Sequence, residues 1–387
     1  MLHCYFPVAP HLPIGYSLAV SSVINALDFS GIAYVPHYVY FQPRHGTFQS
    51  VINSPHFYLR CFPQPVTLLG SLFTSLPYSC FRYWQIKRNL IKSVESNIRA
   101  GNQVYLDDFV LASLLLDNTN LLSQCYVRFH DDLYITFVNL AESTPNPALK
   151  LLYLIEANKS CAIQRKVLQY SFKTASISYQ DRSTLSSFSD KKISVLDLNH
   201  SSSEAVKLDP SFSPFHIAVL TNLDSRKRHG INWFIHNVWP IVLATDTRYM
   251  LFIAGKYTQY FSDKNSNVVG LGFVPNKDQF YSQYLYFVNP QLVATGVQLK
   301  TVECLHQGKI IFTTDAVAKS FPDGLKRFLY SSSDPMTLAS MIVSLSGEAF
   351  LNGESSSYEQ KSSYQQAVFS SIYSPITSAS KLSEFLS

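Results

Sequence analysis

The second half of the chain repeats one arrangement, in which a short apolar run is followed by a segment of mixed polarity. The apolar runs are FHIAVLTNL (215–223), RYMLFIAGK (248–256), NVVGLGFV (267–274), YLYFVNP (284–290) and KIIFTTD (309–315). Near-continuous apolar strands that alternate with helices are typical of a parallel sheet covered on both faces. Right-handed crossovers between such strands predict a doubly wound α/β domain.

The first half shows the same alternation less regularly. Strands are expected at 1–8, 31–41, 103–105 and 125–130, and helices at 16–29, 81–99, 107–116 and 146–172. A stretch rich in Ser and Asp follows at 174–214, and this composition is typical of a linker.

The length of the chain, 387 residues, is too great for one simple core, so we expect two domains. With the boundary inside the linker, the N-terminal domain would span 1–208 and the C-terminal domain 209–355. The last segment, 356–387, carries spaced apolar residues and is expected to form a helix that packs back on the N-terminal domain.

Composition and charge are those of a globular protein, with 47% hydrophobic and only 15% charged residues. The net charge of +5 favours anionic partners such as phosphates or lipid head groups, and is too weak to indicate nucleic-acid binding.

The six cysteines form no CxxC pair, which favours reduced, buried thiols in the cytoplasm. No zinc spacing is present, so we expect no metal site.

Two uncharged runs, 1–27 and 61–81, have the length of a membrane span. Each contains several prolines and a glycine, which would break a spanning helix. We therefore expect no transmembrane segment.

The segment GVQLKTVECLHQGKIIFTTD (296–315) places a charge pair on a short helix at the carboxyl end of an expected strand. Backbone amides of Gly296 and Val297 would open that helix and form an anion site. Lys300 and Glu303 are three residues apart and share one helical face. A lysine can neutralise a phosphate, and a carboxylate can accept both hydroxyls of a ribose. The alternative is an exposed ion pair that contributes less than about 1 kcal/mol.

The order FIAGK, VVGLGFV, YLYFVNP and TGVQLKTVECLHQGKIIFTT resembles the donor half of retaining GT-B glycosyltransferases of the family 4 kind, also called glycosyl transferases group 1. The resemblance implies two Rossmann-like doubly wound domains that face each other across a cleft. It also implies a nucleotide-diphosphate sugar with its ribose on Glu303 and its phosphates near Gly296, Val297 and Lys300. The family often has a second Glu eight residues before this one, where the present chain has Thr295, which we keep as a donor-binding candidate.

The N-terminal half resembles the same family on VRFHDDLYITF (127–137), the acceptor-domain strand that ends in a His facing the sugar. The resemblance implies that His130 contacts the donor sugar and that Arg128 or Asp131 orients it. A histidine at a strand end can also be purely structural. In PHLPIGYS, Gly15 would belong to the glycine-bearing loop after the first strand.

Two basic positions are further donor-binding candidates. In the family, the loop NLDSRKRHGINWF (222–234) supplies a cation to the diphosphate, and among its three adjacent cations we choose Arg228. Lys256 follows Gly255 at the end of a strand and is a second candidate. A solvated basic turn is the alternative for both.

Helix 81–99 has an apolar stripe with Arg and Lys beside it. Two interpretations remain open: a helix packed on the sheet with a basic rim, or a helix that docks on a membrane surface.

The function that these patterns predict is retaining, metal-independent transfer of a hexose-type sugar from a nucleotide-diphosphate sugar to a glycan or a lipid-linked saccharide. His130, Lys300 and Glu303 are the catalytic candidates, and no cofactor other than the donor is expected. The expected location is the cytoplasm, and a position at the inner face of the membrane is the second option. The alternatives are a non-catalytic sugar-nucleotide-binding or assembly protein with the GT-B fold and, third, an epimerase or a phosphorylase.

Overall fold

The computed structural model of the chain describes residues 1–10, 15–42, 56–60, 64–198, 205–221, 223, 225–351 and 355–387. The chain divides into two compact units. Unit 1 consists of Met1–His200 with Pro375–Ser387, and unit 2 consists of Ser201–Ser374. Each unit contains hydrophobic clusters of its own, made from both faces of one sheet.

Unit 1 contains a seven-stranded sheet in which every neighbouring pair is parallel. Its strands are β1 (Leu2–Phe6), β2 (Tyr34–Gln42), β3 (Phe57–Arg60), β4 (Gln103–Leu106), β5 (Cys125–Phe129), β6 (Lys173–Ser176) and β7 (Ile193–Val195). The spatial order is β3-β2-β1-β4-β5-β6-β7, so the order reverses between β1 and β4. Such a reversal is the point where doubly wound sheets bind ligands, outside the carboxyl ends of the strands.

Helices cover both faces of this sheet. They are α1 (Gly15–Ser30), α2 (Gln64–Leu72), α3 (Tyr78–Phe81), α4 (Lys87–Arg99), α5 (Phe109–Ser113), α6 (Thr119–Leu122), α7 (Leu133–Ser143), α8 (Pro147–Tyr170) and α9 (Tyr179–Ser186). Alternate strand residues point to opposite faces. Val104 and Leu106 therefore pack with α4, α5 and α8, whereas Tyr105 packs on the other face with α1.

Unit 2 contains a six-stranded parallel sheet in the order β10-β9-β8-β11-β12-β13. Its strands are β8 (His216–Leu220), β9 (Met250–Ala254), β10 (Val268–Gly272), β11 (Tyr286–Asn289), β12 (Ile310–Thr313) and β13 (Leu329–Ser331). Its helices are α10 (Ser225–Trp233), α11 (Trp239–Thr245), α12 (Lys277–Gln283), α13 (Leu299–His306), α14 (Asp315–Ala318), α15 (Asp323–Lys326), α16 (Pro335–Leu345) and α17 (Ser355–Tyr373). A π-helical turn, Phe234–Val238, joins α10 to α11, and a 3-10 turn, Thr258–Phe261, follows β9.

The linker expected over 174–214 is wrong for its first part. Strand β6, helix α9 and strand β7 occupy most of 173–195. One of its serines is a helix cap: the Ser178 hydroxyl accepts a hydrogen bond from the Asp181 amide at 3.1 Å and donates to Oδ2 of Asp181 at 2.6 Å. This reciprocal pair starts α9.

The C-terminal segment forms two helices instead of the single expected one. Helix α17 ends at Tyr373 and belongs to unit 2, whereas α18 (Pro375–Leu386) belongs to unit 1 and packs against α1. The break falls at Pro375, which has no amide hydrogen to continue the first helix. Only the last helix therefore packs where we expected the whole segment to pack.

The cysteines of the described residues, Cys4, Cys80, Cys125, Cys161 and Cys304, are free thiols, and all except Cys161 are buried. Cys61 lies outside the described residues. Within the described ranges, no helix is long and apolar enough to cross a membrane.

Candidate functional site

The carboxyl ends of the strands in unit 2 meet at one edge, and glycines allow their backbones to approach closely. A Cβ at Gly255, where φ is +142°, would lie 1.9 Å from the carbonyl oxygen of Thr221 at the end of β8. The Gly255 amide donates to the carbonyl of Gly272 at the end of β10, at 2.7 Å. Three strand ends are thus joined at this edge.

The loop between β11 and α13 is held by side-chain hydrogen bonds. Nδ2 of Asn289 donates to the Thr301 hydroxyl at 2.9 Å, and Nε2 of Gln291 donates to Oε1 of Gln298 at 2.8 Å. Nε2 of Gln298 donates in turn to the carbonyl of Thr295 at 3.1 Å. A Cβ at Gly230 of α10 would lie 2.5 Å from the Pro290 carbonyl oxygen, so α10 lies directly against this loop.

The helix predicted after Gly296 is present and begins at Leu299, with Gln298 as its N-cap residue. Gly296 is buried and has a φ of +64°, a conformation that favours glycine, while Thr295 and Val297 are half-buried. The three predicted donor-binding positions thus form the turn that leads into α13.

Glu303 lies at the centre of a charged cluster, which we call the Glu303 cluster. Nζ of Lys300 lies 3.1 Å from both carboxylate oxygens, and Nζ of Lys277 lies 3.1 Å from Oε1 and 3.4 Å from Oε2. The Tyr281 hydroxyl donates to Oε2 at 2.8 Å. The Glu303 side chain is 17% exposed, against 25% for Lys300 and 50% for Lys277.

Burial and charge compete in this cluster. Burial acts to raise the pKa of Glu303, but the charges of Lys300 and Lys277 overcome it and the pKa is lowered. Burial lowers the pKa of Lys300, although Glu303 opposes this effect. For Lys277, burial acts to lower the pKa, and Glu303 overcomes it and raises the pKa. With one carboxylate and two ammonium groups, the Glu303 cluster carries a net positive charge.

Arg228 and Lys256 are exposed and lie on adjacent segments of the same edge. The guanidinium of Arg228, on α10, lies 5.7 Å from the ring centre of Tyr260 in the turn after β9. Nζ of Lys256 lies 5.0 Å from the ring centre of Tyr257, which begins that turn in a left-handed conformation. The structure therefore brings both predicted cations to neighbouring strand ends.

In unit 1, His130 and Arg128 belong to a buried cluster centred on Asp107, the residue that follows β4. Asp107 accepts from Nε of Arg128 at 2.8 Å, from the Tyr105 hydroxyl at 2.8 Å, and lies 3.1 Å from Nε2 of His130. Burial acts to raise the pKa of Asp107, but the charges of Arg128 and His130 overcome it and lower the pKa to about 2.

Arg128 is fully buried and faces the protein interior. Its guanidinium also donates to the carbonyl oxygens of Ala19, at 2.9 Å, and Leu196, at 3.4 Å. This arrangement makes Arg128 a support for His130 rather than a side chain that reaches a ligand. Asp131 is half-buried between His130 and the start of α7, and Gly15 is the first residue of α1.

Four residues of these clusters were missed in the sequence: Tyr105, Asp107, Lys277 and Tyr281. Asp107 has a signal, since it starts a pair of acids directly after a strand. Lys277 and Tyr281 are four residues apart on α12 and share one face. They join Glu303 because α12 packs beside α13, which the sequence pattern does not disclose.

The apolar stripe predicted on helix 81–99 faces the core. Tyr83, Ile86, Leu90 and Val94 are all buried in unit 1. This geometry favours the interpretation of a helix packed on the sheet with a basic rim. In the part of the chain that the structure describes, no group of three His, Cys, Asp or Glu side chains is arranged to hold a metal ion.

Comparison with known proteins supports this architecture. Residues 214–348, which include the Glu303 cluster, match the family model described as glycosyl transferases group 1. No curated protein matches the chain.

Three solved structures have the same fold along their whole length. Sucrose-phosphate synthase from Thermosynechococcus elongatus is 12% identical and has a TM-score of 0.66, with 100% of this chain and 98% of that chain covered. The HepE protein of Anabaena in complex with UDP and glucose is 13% identical, with a TM-score of 0.61 and coverage of 100% and 99%. An α,α-trehalose 6-phosphate synthase from Burkholderia multivorans is 10% identical, with a TM-score of 0.59 and coverage of 100% and 98%.

Identities this low establish the fold alone. The expected α/β architecture of two parallel, doubly wound sheets is confirmed, and it is the GT-B fold.

Proposed function

We propose that the chain is a glycosyltransferase that moves a sugar from a nucleotide-diphosphate sugar to a glycan or a lipid-linked saccharide in the cytoplasm. The match of residues 214–348 to glycosyl transferases group 1 supports this assignment. So does the likeness in fold to a protein whose crystal structure contains UDP and glucose. Retention of configuration is part of the proposal and follows from the resemblance of the donor half.

The observation that carries the proposal is the Glu303 cluster, in which a carboxylate is fixed beside the turn that opens α13. A carboxylate has about four lone-pair positions, and here they receive two ammonium groups and one hydroxyl. When a ribose enters, its two hydroxyls replace the ammonium group of Lys300. Lys300 then turns to the diphosphate, where it contacts charge that grows as the sugar leaves.

The positive charge around the diphosphate comes from the protein itself in this proposal, and no metal ion is required. The turn of Gly296 and Val297 supplies amides, and Arg228 and Lys256 supply cations from neighbouring strand ends. In the reaction, the acceptor oxygen bonds to the anomeric carbon on the face from which the phosphate oxygen leaves. That phosphate oxygen takes the acceptor proton, so no protein base is needed.

His130 is the proposed contact to the donor sugar, and Asp107 and Arg128 are its positioning residues. Nε2 of His130 lies 3.1 Å from Oδ2 of Asp107 and 3.3 Å from a guanidinium nitrogen of Arg128, so these two residues fix the orientation of its ring.

The test measures release of nucleoside diphosphate from a panel of nucleotide sugars. We expect slow hydrolysis of one donor by the wild type and faster release when its acceptor is present. Glu303→Ala should raise the KM for the donor by about tenfold or more, because a hydrogen bond to a charged group contributes about 1.5–3 kcal/mol. Lys300→Ala should lower kcat, since its contact develops in the transition state.

A matched control is the ion pair of Lys326 and Asp323, which has the same three-residue spacing on α15. Lys326→Ala should leave both constants unchanged. Wild-type turnover in Glu303→Ala and Lys300→Ala would contradict the assignment of the site.

A non-catalytic sugar-nucleotide-binding protein is the second candidate. Two observations favour it: Glu303 is already paired within the protein, and Thr295 stands where the family pattern often has a Glu. Calorimetric binding of a nucleotide sugar with no release of nucleoside diphosphate from any donor would establish this second function.

A further inference from the structure

Unit 2 contains a cavity at the edge of its sheet that lies opposite the proposed donor site. The cavity has a volume of about 210 Å³ and is lined by the turns before β12 and β13, the end of α16 and one side of α17. Gly308 precedes β12 and Arg327 precedes β13, so the cavity lies at the amino ends of the strands. Doubly wound sheets bind their usual ligands at the carboxyl ends. The cavity is therefore separate from the Glu303 cluster.

Side-chain hydrogen bonds fasten α17 to the turn between α13 and β12 and hold the floor of the cavity. Nε2 of Gln365, which is buried, donates to the carbonyl of Leu305 at 3.0 Å, and the Tyr358 hydroxyl donates to the carbonyl of Gly308 at 3.2 Å. A Cβ at Gly308, where φ is +65°, would lie 1.9 Å from Oγ of Ser362. Only glycine allows this approach, so the cavity is a fixed feature of the fold.

Aromatic side chains line the cavity from its exposed end to its buried end. Tyr364 is 53% exposed, whereas Phe350 is 8% exposed. Sites for small organic molecules are lined in this way, by apolar and aromatic side chains with a few polar groups. The volume is below the about 300–1,000 Å³ of sites for drug-sized ligands, so the cavity suits a ligand with a single ring. The aromatic lining residues are Phe328, Tyr330, Phe350, Tyr358 and Tyr364.

Positive charge lies at the exposed end of the cavity. Arg327 and Lys361 are both exposed lining residues, and no Asp or Glu is among the described residues that line the cavity. The guanidinium of Arg327 lies 5.2 Å from the ring centres of Phe328 and of Tyr364. Its Nε donates to the carbonyl of Gly324 at 3.1 Å. The two terminal nitrogens of the guanidinium remain to receive an anion.

A second stacked arginine on the same edge shows the contrasting arrangement. Arg248 precedes β9, and its guanidinium lies 4.1 Å from the ring centre of Phe215. Asp246 and Glu348 both pair with it, at 2.6 and 2.5 Å. Within the described ranges, Arg327 has no such carboxylate partner. A stacked guanidinium stays charged, is weakly hydrated and presents a fork that fits a phosphate or a carboxylate, so Arg327 is suited to an anion from outside the chain.

The charge of the cavity favours a phosphate over a carboxylate. A phosphate monoester carries a charge of about −1.5 to −2 at pH 7 and three acceptor oxygens, whereas a carboxylate carries one charge. Two lining cations match the phosphate better. Lys361 lies three residues before Tyr364 on α17, so it shares a side of the helix with the ring that stacks on Arg327.

We propose that this cavity binds a phosphate monoester with a single ring. The phosphate lies on the guanidinium fork of Arg327, with Lys361 beside it, and the ring lies among the aromatic side chains. A phosphorylated monosaccharide and a phosphorylated aromatic ring share this chemistry. No residue of the Glu303 cluster lines the cavity, so this inference is independent of the sugar-transfer proposal.

The test is isothermal titration calorimetry of the full chain with phenyl phosphate, glucose 6-phosphate, benzoate and inorganic phosphate, without and with UDP. We expect one site for at least one of the two monoesters, with an affinity that UDP leaves unchanged. Inorganic phosphate should bind about tenfold or more weakly than the better monoester, because it buries no ring. Benzoate should bind more weakly than phenyl phosphate, because it carries less charge. Tighter binding of glucose 6-phosphate would assign the site to a sugar phosphate, and tighter binding of phenyl phosphate to an aromatic one.

Arg327→Gln should weaken binding of the better monoester about tenfold or more, because it removes hydrogen bonds from a charged donor. Arg327→Lys keeps the charge without the fork and should restore only part of the affinity. Arg248→Gln is the matched control, since it removes the same charge on the same edge, and it should bind like the wild type. Melting temperatures should confirm that all variants fold. Donor hydrolysis should be the same in Arg327→Gln and in the wild type, which separates this test from that of the proposed function.

Several outcomes would overturn the inference. They are no binding of either monoester by the wild type, loss of binding when UDP is added, full binding by Arg327→Gln, or an equal loss in Arg248→Gln. Inorganic phosphate that binds as tightly as the better monoester would show that the aromatic lining takes no ring. Benzoate that binds as tightly as phenyl phosphate would show that the cations do not select a phosphate.

Discussion

Replacing Asp107 by asparagine tests whether the buried cluster of unit 1 is held by charge. The substitution keeps the shape of the side chain and removes the only carboxylate that contacts the guanidinium of Arg128 among the described residues. Arg128 and Asp107 are both fully buried. Asp107→Asn therefore leaves the arginine charge in the interior without a carboxylate in contact with it.

The structure gives the size of the expected effect. The pKa of Asp107 is lowered from 3.8 to about 2 although burial opposes this, because Arg128 and His130 favour the charged form. A pKa lower by about 1.8 corresponds to about 2.5 kcal/mol of folding free energy at neutral pH. Breaking a buried ion pair costs about 3–5 kcal/mol. We expect Asp107→Asn to lower the free energy of unfolding of unit 1 by about 3 kcal/mol.

Hydrogen exchange of peptides from β4 and β5, measured across a urea series, reports unit 1 separately from unit 2. The contribution of Asp107 is present above pH 4 and disappears as the pH falls towards 2, because the folded pKa is the lower one. The difference between variant and wild type should therefore shrink over that interval.

Asp117→Asn is the control for this prediction. Asp117 pairs with Lys87 at the surface, where its side chain is 72% exposed, and a pair of this kind contributes no more than about 1 kcal/mol. If Asp107→Asn cost no more than Asp117→Asn, the cluster would be held by packing, and its charges would not determine its stability.

Two further substitutions test other features. Asp108 caps α5 by accepting the Val110 amide at 3.2 Å, and burial raises its pKa to about 6. Because the pKa of Asp108 is higher in the folded state, its ionisation destabilises the fold as the pH rises from about 4 to 6. Asparagine caps a helix equally well and carries no charge. In urea unfolding, Asp108→Asn should therefore raise the free energy of unfolding by up to about 3 kcal/mol at pH 7 and leave it unchanged below pH 4. Gly255→Ala should lower the melting temperature far more than Gly101→Ala. A Cβ added at Gly255 would lie 1.9 Å from the Thr221 carbonyl oxygen, whereas a Cβ added at Gly101 would meet nothing within 4 Å. At Gly101 only the left-handed backbone conformation costs free energy, about 1–2 kcal/mol.

The apolar runs of the second half could be predicted because buried parallel strands must be apolar on both faces. Strands β8 to β12 lie inside the five runs from which they were predicted. Strands β3, β7 and β13 were missed, and each has only three or four residues. The serine-rich stretch was misread because caps and linkers use the same residues, and only tertiary context separates them.

The candidate site was predictable only as far as its residues are neighbours on one helix. Lys300 and Glu303 share a turn, and their pairing follows from a three-residue spacing. Lys277 comes from 26 positions earlier and reaches Glu303 through the packing of two helices. Asp107 and His130 come from adjacent strands, and no spacing rule relates them.

Helix α8 shows a different limit. The sequence predicts the helix, and the structure buries Glu156 and Ser160 while Leu149, Leu151, Leu154 and Ile155 of the same helix are exposed. A pattern fixes which side chains share a face of a helix, but not which face meets the protein. That choice belongs to tertiary packing, here to the Tyr78 amide that binds Glu156.

The two charged clusters differ in how easily they can exchange partners, and this difference assigns their roles. In unit 1, Asp107 and Arg128 are fully buried, so removing either partner would strand a charge in a medium that cannot solvate it. Such a cluster can hold His130 in place but cannot open for a ligand. In unit 2, water reaches half of Lys277 and a quarter of Lys300, so either ammonium group can leave Glu303 and be solvated during the exchange. In the proposed function, a ligand that needs a carboxylate to change partners is therefore assigned to Glu303, and Asp107 is assigned to the orientation of His130.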